Sequence, residues 1–143
     1  MKPGKKAEQE AAILELFARH HIDLVVMARY MQVLSEDFIN AYPSRIINIH
    51  HAFLPAFQGA NPYQRAWERG VKMIGATAHF ATCDLDEGPI IEQDVERISH
   101  EDDPDDMKQL GKEIERRVLT RAVKAYLENR IINYGRRTVV FSN

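Results

Sequence analysis

The N-terminal third of the chain combines one amphipathic stretch with one uninterrupted apolar run. Residues 7–20 place apolar side chains on one helical stripe and charged side chains on the other, which predicts an α-helix. Residues 22–28 read IDLVVMA, a run rich in branched side chains that is typical of a strand covered on both faces. A helix followed by such a strand favours an α/β fold.

The next segment repeats this order with shorter elements. Ser35 precedes two acidic residues, as an N-cap would, and the helix that it begins must end before Pro43. Residues 45–49 then form a second buried apolar run, which predicts a second strand.

Residues 48–63 read NIHHAFLPAFQGANPY and have no lasting periodicity, which predicts an ordered loop and a candidate site. Asn61 and Pro62 are suited to the N-cap and first position of a helix that continues to about Arg69. Residues 73–81 are again almost wholly apolar and predict a third strand.

The C-terminal part changes character. In residues 89–98, acidic side chains at positions 92, 94 and 96 alternate with apolar, amide or basic side chains at 91, 93, 95 and 97. This alternation predicts an exposed or edge strand. Asp103 and Pro104 begin the longest expected helix, which ends near Arg130, and residues 131–141 suggest a terminal hairpin. The chain has two or three strands of the parallel type, fewer than the mean sheet of about five or six. We therefore expect that a further part of the protein lies upstream of this segment.

Composition excludes several classes of protein. Of 143 residues, 45% are apolar and 28% are charged, which is typical of a globular domain. The formal net charge is −2 and the sequence has no basic stripe, so we do not expect a nucleic-acid partner. We expect the partner to be a small molecule. A single cysteine, Cys83, fits a reducing compartment, and no apolar run is long enough to span a membrane. We expect a cytoplasmic protein.

The strongest chemical signal is an Asn-x-His pair at the end of the second predicted strand. Asn48 and His50 are two residues apart and point to one side of the pleat. Ligands of open α/β sheets bind outside the carboxyl ends of the strands. The turn after the third strand carries Asp84, Asp86 and Glu87, any of which could supply a carboxylate there. An amide donor, an imidazole and a carboxylate together suit acyl transfer or hydrolysis.

Each of these residues also has a simpler interpretation. An Asn-x-His pair at a strand end is more often a hydrogen-bonded loop anchor than a catalytic pair. His51 should point away from Asn48, and His79, within a predicted buried strand, is most simply a hydrogen-bonded core residue. A metal cluster of these histidines with Asp86 is conceivable, but its spacing matches no known zinc pattern, so no metal is expected.

Five stretches of the sequence resemble one known family. They are ARYMQVLS at 28–35, NIHHAFLPAFQGANPY at 48–63, GATAHF at 75–80, DLDEGPIIEQ at 84–93 and IERRVLTRAV at 114–123. The similarity is to the formyltransferase-fold family that uses 10-formyltetrahydrofolate, and it runs from about residue 22 to 141. The doubled histidine at 50–51 and GANPY at 59–63 resemble the deformylase branch in particular.

The resemblance implies a fold, an activity and a set of site residues. The fold is α/β and Rossmann-like, with a mostly parallel sheet flanked by helices and with its N-terminal strands absent from this chain. Residues 1–143 then correspond to the C-terminal part of the catalytic domain, without the N-terminal ACT-type domain of family deformylases. The implied catalytic residues are Asn48, His50 and Asp86; the implied folate-binding residues are Met31, Gln32, Val33, Leu34, Thr82, Cys83, Asp84 and Leu85.

The implied reaction is hydrolysis of 10-formyltetrahydrofolate to tetrahydrofolate and formate, in one-carbon metabolism and purine biosynthesis. The folate is the substrate, and no separate cofactor is expected. A homo-oligomer is expected. Two alternatives stay open: formyl transfer to an amine such as glycinamide ribonucleotide, and a non-catalytic folate-binding fragment.

Overall fold

The computed structural model describes residues 6–28, 34–51, 61–83 and 88–142 of the chain. The helices are α1 (Lys6–Arg19), α2 (Glu36–Ala41), α3 (Pro62–Arg69) and α4 (Pro104–Leu127). The strands are β1 (Val25–Ala28), β2 (Ile46–His51), β3 (Met73–Phe80), β4 (Ile90–Arg97), β5 (Ile131–Tyr134) and β6 (Arg137–Val140). Each predicted helix and strand has a counterpart, and the terminal hairpin is confirmed as β5 paired with β6.

Strands β1 to β4 form one sheet in the order β1-β2-β3-β4. Only β1 and β2 are parallel within the described residues, whereas β3 is antiparallel to both β2 and β4. The expectation of a mostly parallel sheet is therefore corrected to a mixed sheet. The apolar run of β3 suggested a parallel strand because a central antiparallel strand covered on both faces has the same composition. Strand β4 lies at the edge of this sheet, as its alternation predicted.

The main core lies between the sheet and α4. Ile47 and Ile49 of β2 point to this side and pack in one cluster with Ile114 and Val118 of α4, all of them almost fully buried. Burying one such side chain contributes roughly 1.5–3 kcal/mol, so this face holds the sheet and α4 together. The alternation of β2 places Asn48 and His50 on the opposite face.

That opposite face is partly covered by a second, smaller cluster. Leu34, Phe38 and Ile46 are buried there, and Phe17 of α1 packs against them. The ring of Phe17 meets that of Phe38 edge-on at 6.1 Å between centroids. This cluster fixes α1 and α2 against the N-terminal end of β2, just before the Asn-x-His pair.

Local caps explain where the helices begin. Ser35 accepts a hydrogen bond from the Phe38 amide, which confirms it as the N-cap of α2. Asp103 and Asp106 form a reciprocal capping box at the start of α4. Asn61 differs from expectation: it stands at the N-cap of α3 with φ of 56° and makes no capping hydrogen bond through its side chain. Pro62 still begins that helix.

An ion-pair cluster joins α4 to the edge strand. Arg117 donates from Nε to Asp94 at 2.9 Å and from Nη2 to Glu96 at 2.7 Å. The hydrogen bond to Glu96, and after it the one to Asp94, raise the pKa of Arg117 above its ordinary value. The cluster lies on the α4 side of the sheet, away from Asn48 and His50. No described helix is long and apolar enough to cross a membrane.

Candidate functional site

The polar face of the sheet is built around Asn48 and His50. Asn48 is only 4% exposed and His50 is half-buried, although neither lies in the apolar core between the sheet and α4. Their common orientation follows from strand alternation, because residues i and i+2 share a face. The structure therefore brings this predicted pair together.

Strand β3 places two more polar residues beside this pair. The antiparallel register puts His79 directly opposite Asn48, and Thr77 directly opposite His50. The His50 and His79 rings meet edge-on at 5.1 Å between centroids. His79 Nδ1 lies 2.9 Å from the Phe80 carbonyl oxygen, which confirms the expectation of a buried, hydrogen-bonded histidine.

Sequence reasoning missed that His79 and Thr77 belong to the same surface as the Asn-x-His pair. Composition could not reveal it, since both residues stand within a nearly apolar run. The signal that could have found them is the pairing register, because antiparallel partners point to the same side of a sheet. The expected mostly parallel sheet contains no antiparallel pairing of this kind.

The side-chain oxygen of Asn48 makes no hydrogen bond within the described residues. Asn48 Oδ1 is buried and has no hydrogen-bond partner among the described residues. Leaving a buried polar atom unsatisfied costs roughly 1–3 kcal/mol, and such exceptions in a folded chain are typical of functional sites. Because Oδ1 makes no hydrogen bond to the described residues, the position of the Asn48 side chain is set by the strand and by the packing of its neighbours.

Several predicted site residues lie outside the described residues. These are the catalytic candidate Asp86 and the folate-binding candidates Met31, Gln32, Val33, Asp84 and Leu85. Two described residues flank the turn: Cys83 follows the end of β3, and Gly88 precedes the start of β4. Phe80 N–H donates to the Pro89 carbonyl at 3.0 Å, so the two arms of this turn are paired next to His79.

The remaining folate-binding candidates have three different environments. The side chain of Leu34 is buried with Phe38 and Ile46, so a contact with a ligand would have to come from its main chain. Thr82 is half-buried and Cys83 is exposed, both directly after β3. Among the described residues, no group of three or more histidine, cysteine, aspartate or glutamate side chains is placed to hold a metal ion.

The described geometry is suited to chemistry at a carbonyl group. A buried amide can donate a hydrogen bond to a carbonyl oxygen that becomes negative, and an adjacent imidazole can exchange a proton near neutral pH. The low exposure of Asn48 strengthens such a hydrogen bond, because water competes with it less.

Known proteins resemble this chain along nearly its whole length. A formyltetrahydrofolate deformylase of Bacillus subtilis is 58% identical, over 99% of this chain and 48% of that protein. A formyltetrahydrofolate deformylase of Synechocystis is 61% identical, over 96% of this chain and 48% of that protein. The chain therefore spans about half the length of the curated relatives it matches.

Solved structures agree. The formyltetrahydrofolate deformylase of Burkholderia mallei superposes with a TM-score of 0.93 at 53% identity, covering 99% of this chain and 50% of that one. Glycinamide ribonucleotide transformylase 1 of Symbiobacterium toebii gives a TM-score of 0.86 at 34% identity, covering 99% and 68%. These likenesses confirm the predicted formyltransferase fold. The family model described as formyl transferase matches residues 2–123, and the chain belongs to that family.

Proposed function

We propose that this chain carries the reacting groups of an enzyme that hydrolyses 10-formyltetrahydrofolate to tetrahydrofolate and formate. The observation that carries the proposal is the placement of Asn48 and His50 side by side on the polar face of β2, with the Asn48 amide buried. Their chemistry matches the two needs of the reaction, which are an oxyanion donor and a proton carrier.

The roles of the residues follow from the bonds that change. A water oxygen bonds to the formyl carbon, and the bond from that carbon to N10 of the folate breaks. Asn48 donates a hydrogen bond to the formyl oxygen as it becomes negative. His50 delivers one hydrogen of the water to N10, and the other leaves with formic acid, which ionises at neutral pH. Asp86 is proposed to hold the attacking water or to orient His50.

The folate ring is proposed to bind next to this pair. Met31, Gln32, Val33 and Leu34 would line one wall, with Leu34 contributing its main chain because its side chain is buried in the second cluster. Thr82, Cys83, Asp84 and Leu85 would form the other wall, directly after β3. No separate cofactor or metal takes part in this scheme. The enzyme is proposed to be a cytoplasmic homo-oligomer.

We propose hydrolysis rather than formyl transfer because the chain has a higher sequence identity to deformylases than to a transformylase. The deformylases of Bacillus subtilis and Synechocystis are 58% and 61% identical to this chain, whereas the transformylase of Symbiobacterium toebii is 34% identical. Both groups share the fold, so the fold alone does not choose between water and an amine as the acceptor.

The test uses a full-length hybrid enzyme in which this chain replaces the matching segment of the Bacillus subtilis deformylase. Formate release from 10-formyltetrahydrofolate is measured with and without glycinamide ribonucleotide. We expect formate at a rate that the amine does not change, and no formylated amine. Efficient formylation of the amine would support transfer instead. A hybrid that binds folate without releasing formate would support the non-catalytic alternative.

A further inference from the structure

The helix α1 buries a carboxylate where packing alone would favour an apolar side chain. Among the described residues of α1, Glu10 alone is buried, at 5% exposure. The apolar side chains of Ile13, Leu14 and Phe17 on the same helix are only partly buried. A buried carboxylate costs free energy unless hydrogen bonds compensate it. Because an apolar side chain would avoid that cost, the hydrogen bonds of Glu10 indicate what it is there to hold.

Both carboxylate oxygens of Glu10 bind Ser35. The Ser35 amide donates to Glu10 Oε1 at 3.2 Å, and the Ser35 hydroxyl donates to Oε2. The same hydroxyl oxygen accepts a hydrogen bond from the Phe38 amide at 3.2 Å. The hydroxyl thus directs its single hydrogen to Glu10 while it caps α2. Glu10 therefore fixes the main chain at Ser35 and, through the hydroxyl, the first turn of α2.

Ser35 directly follows Leu34, the last residue of the first proposed wall of the folate site. The Leu34 side chain is buried in the second cluster, against which Met27 and Ala81 also pack. Met27 is the partner of Asn48 in the parallel register of β1 and β2. Ala81 directly precedes the second proposed wall. The second cluster therefore reaches from α1 to the strand residue beside Asn48, and the main chain at 34–35 borders the proposed site.

We propose that Glu10 is a positioning residue for the folate, because it holds the main chain at residues 34–35 in the arrangement that the first wall requires. This inference deepens the proposed function and rests on it. Glu10 acts through Ser35 and is not a catalytic residue. Its removal should weaken folate binding and leave the chemical step of the bound substrate unchanged.

The size of the effect follows from how much of the protein keeps the wall in place. A ligand that binds only one arrangement has an apparent Kd equal to its intrinsic Kd divided by the fraction of molecules in that arrangement. If loss of the Glu10 hydrogen bonds leaves about one molecule in ten in that arrangement, Kd rises about 10-fold. A change that removes binding without touching the reacting groups raises KM and leaves kcat unaltered.

The experiment measures equilibrium binding of tetrahydrofolate to the hybrid enzyme, together with kcat and KM of formate release, at a temperature where every variant is folded. Glu10→Met keeps a side chain of similar length and removes both acceptor oxygens. Its Kd and KM should rise about 10-fold while kcat stays near the parental value. Glu10→Gln keeps one acceptor oxygen and should recover part of the affinity.

A double variant tests whether Glu10 acts through Ser35. Ser35→Ala removes the hydroxyl and keeps the amide, so it should raise Kd less than Glu10→Met does. The combination of Glu10→Met with Ser35→Ala should raise Kd by less than the product of the two single effects, because both remove the same contact. Independent effects of the two substitutions on Kd would contradict a shared action.

Two controls separate positioning from general stability. Glu15→Gln makes the same change at an exposed position of α1, where Glu15 pairs with Arg19 at 3.4 Å, and it should change neither Kd nor kcat. Val118→Ala opens a cavity in the main core, on the far side of the sheet, so it should lower the melting temperature and leave Kd unchanged.

A parental Kd in Glu10→Met, or an equal rise of Kd in Val118→Ala, would overturn the proposal. Glu10→Gln keeps the proposal falsifiable if Glu10→Met does not fold, because a parental Kd in that variant also contradicts it. An unsubstituted hybrid that binds tetrahydrofolate without releasing formate would refute the proposed hydrolysis, and Kd would still decide this inference. An unsubstituted hybrid that binds no tetrahydrofolate would refute both.

Discussion

Gly88 stands against the end of β3, beside His79. A Cβ at this position would stand 1.6 Å from the Phe80 carbonyl oxygen and 3.1 Å from His79 Nδ1. An ordinary carbon–oxygen contact is about 3.3 Å or more. Gly88→Ala must therefore separate the two arms of the turn by well over 1 Å, because the obstacle is main chain and cannot rotate away.

The cost of that separation can be worked from the contacts that it breaks. Overpacking of a filled site costs about 1–3 kcal/mol, and loss of the 3.0 Å bond from Phe80 N–H to the Pro89 carbonyl costs about 1–3 kcal/mol more. At about 2–4 °C per kcal/mol for a domain of this size, the melting temperature should fall by roughly 5–20 °C. Formate release should fall too, because the Phe80 carbonyl also holds His79 at 2.9 Å.

The assay compares thermal melting and kcat of the hybrid enzyme with and without Gly88→Ala. Gly111→Ala is the control, since its Cβ would stand 2.0 Å from the Tyr63 hydroxyl, a side-chain atom remote from His79. It should lower the melting temperature as well, because the Tyr63 ring that it meets is buried in the main core. It should leave kcat unchanged. A Gly88→Ala variant with the parental melting temperature and kcat would refute the close-approach reasoning.

Two further predictions concern stability. Glu10 is 5% exposed and accepts hydrogen bonds from both the amide and the hydroxyl of Ser35, so Glu10→Ala should lower the free energy of unfolding by about 1–3 kcal/mol in urea melts. Glu10→Gln, which keeps an acceptor, should lose less, and equal stability of all three proteins would contradict the assignment. Arg117→Met should lower the melting temperature at low salt, with a smaller difference at high salt. Because the pKa of Arg117 is raised, deprotonation of this residue removes its contribution only in strongly alkaline solution, whereas acid removes it by protonating Asp94 and Glu96; a loss near neutral pH would contradict the assignment.

The element pattern was predictable because each element has a local cause in the sequence. Ser35 and Asp103 carry the side chains that cap helices, and the apolar runs of β2 and β3 need burial whatever their direction. The direction of each strand relative to its neighbours could not be predicted from the hydrophobic pattern. A strand covered on both faces has no alternation, so the parallel and antiparallel arrangements of β3 read alike.

The site was predictable only where its residues are close in sequence. Asn48 and His50 share a face by alternation within one strand, which needs no knowledge of the partner strands. Thr77 and His79 stand opposite His50 and Asn48 through the register of β2 with β3, and register depends on tertiary pairing rather than on local pattern. Asp86 stays a prediction, since it lies outside the described residues.

The most direct test of the account is whether the Asn48 and His50 pair performs the chemistry rather than the binding. Asn48→Ala and His50→Ala are compared with His51→Ala in the hybrid enzyme, measuring formate release and, separately, equilibrium binding of the folate. Removal of one oxyanion donor typically costs about 100- to 1000-fold in rate, so Asn48→Ala should lose that much turnover while binding folate with nearly parental affinity. His50→Ala should also lose turnover, and His51→Ala should keep it, because the sequence predicts that neighbouring residues of this strand face opposite sides. Near-parental formate release from Asn48→Ala or His50→Ala would contradict the account.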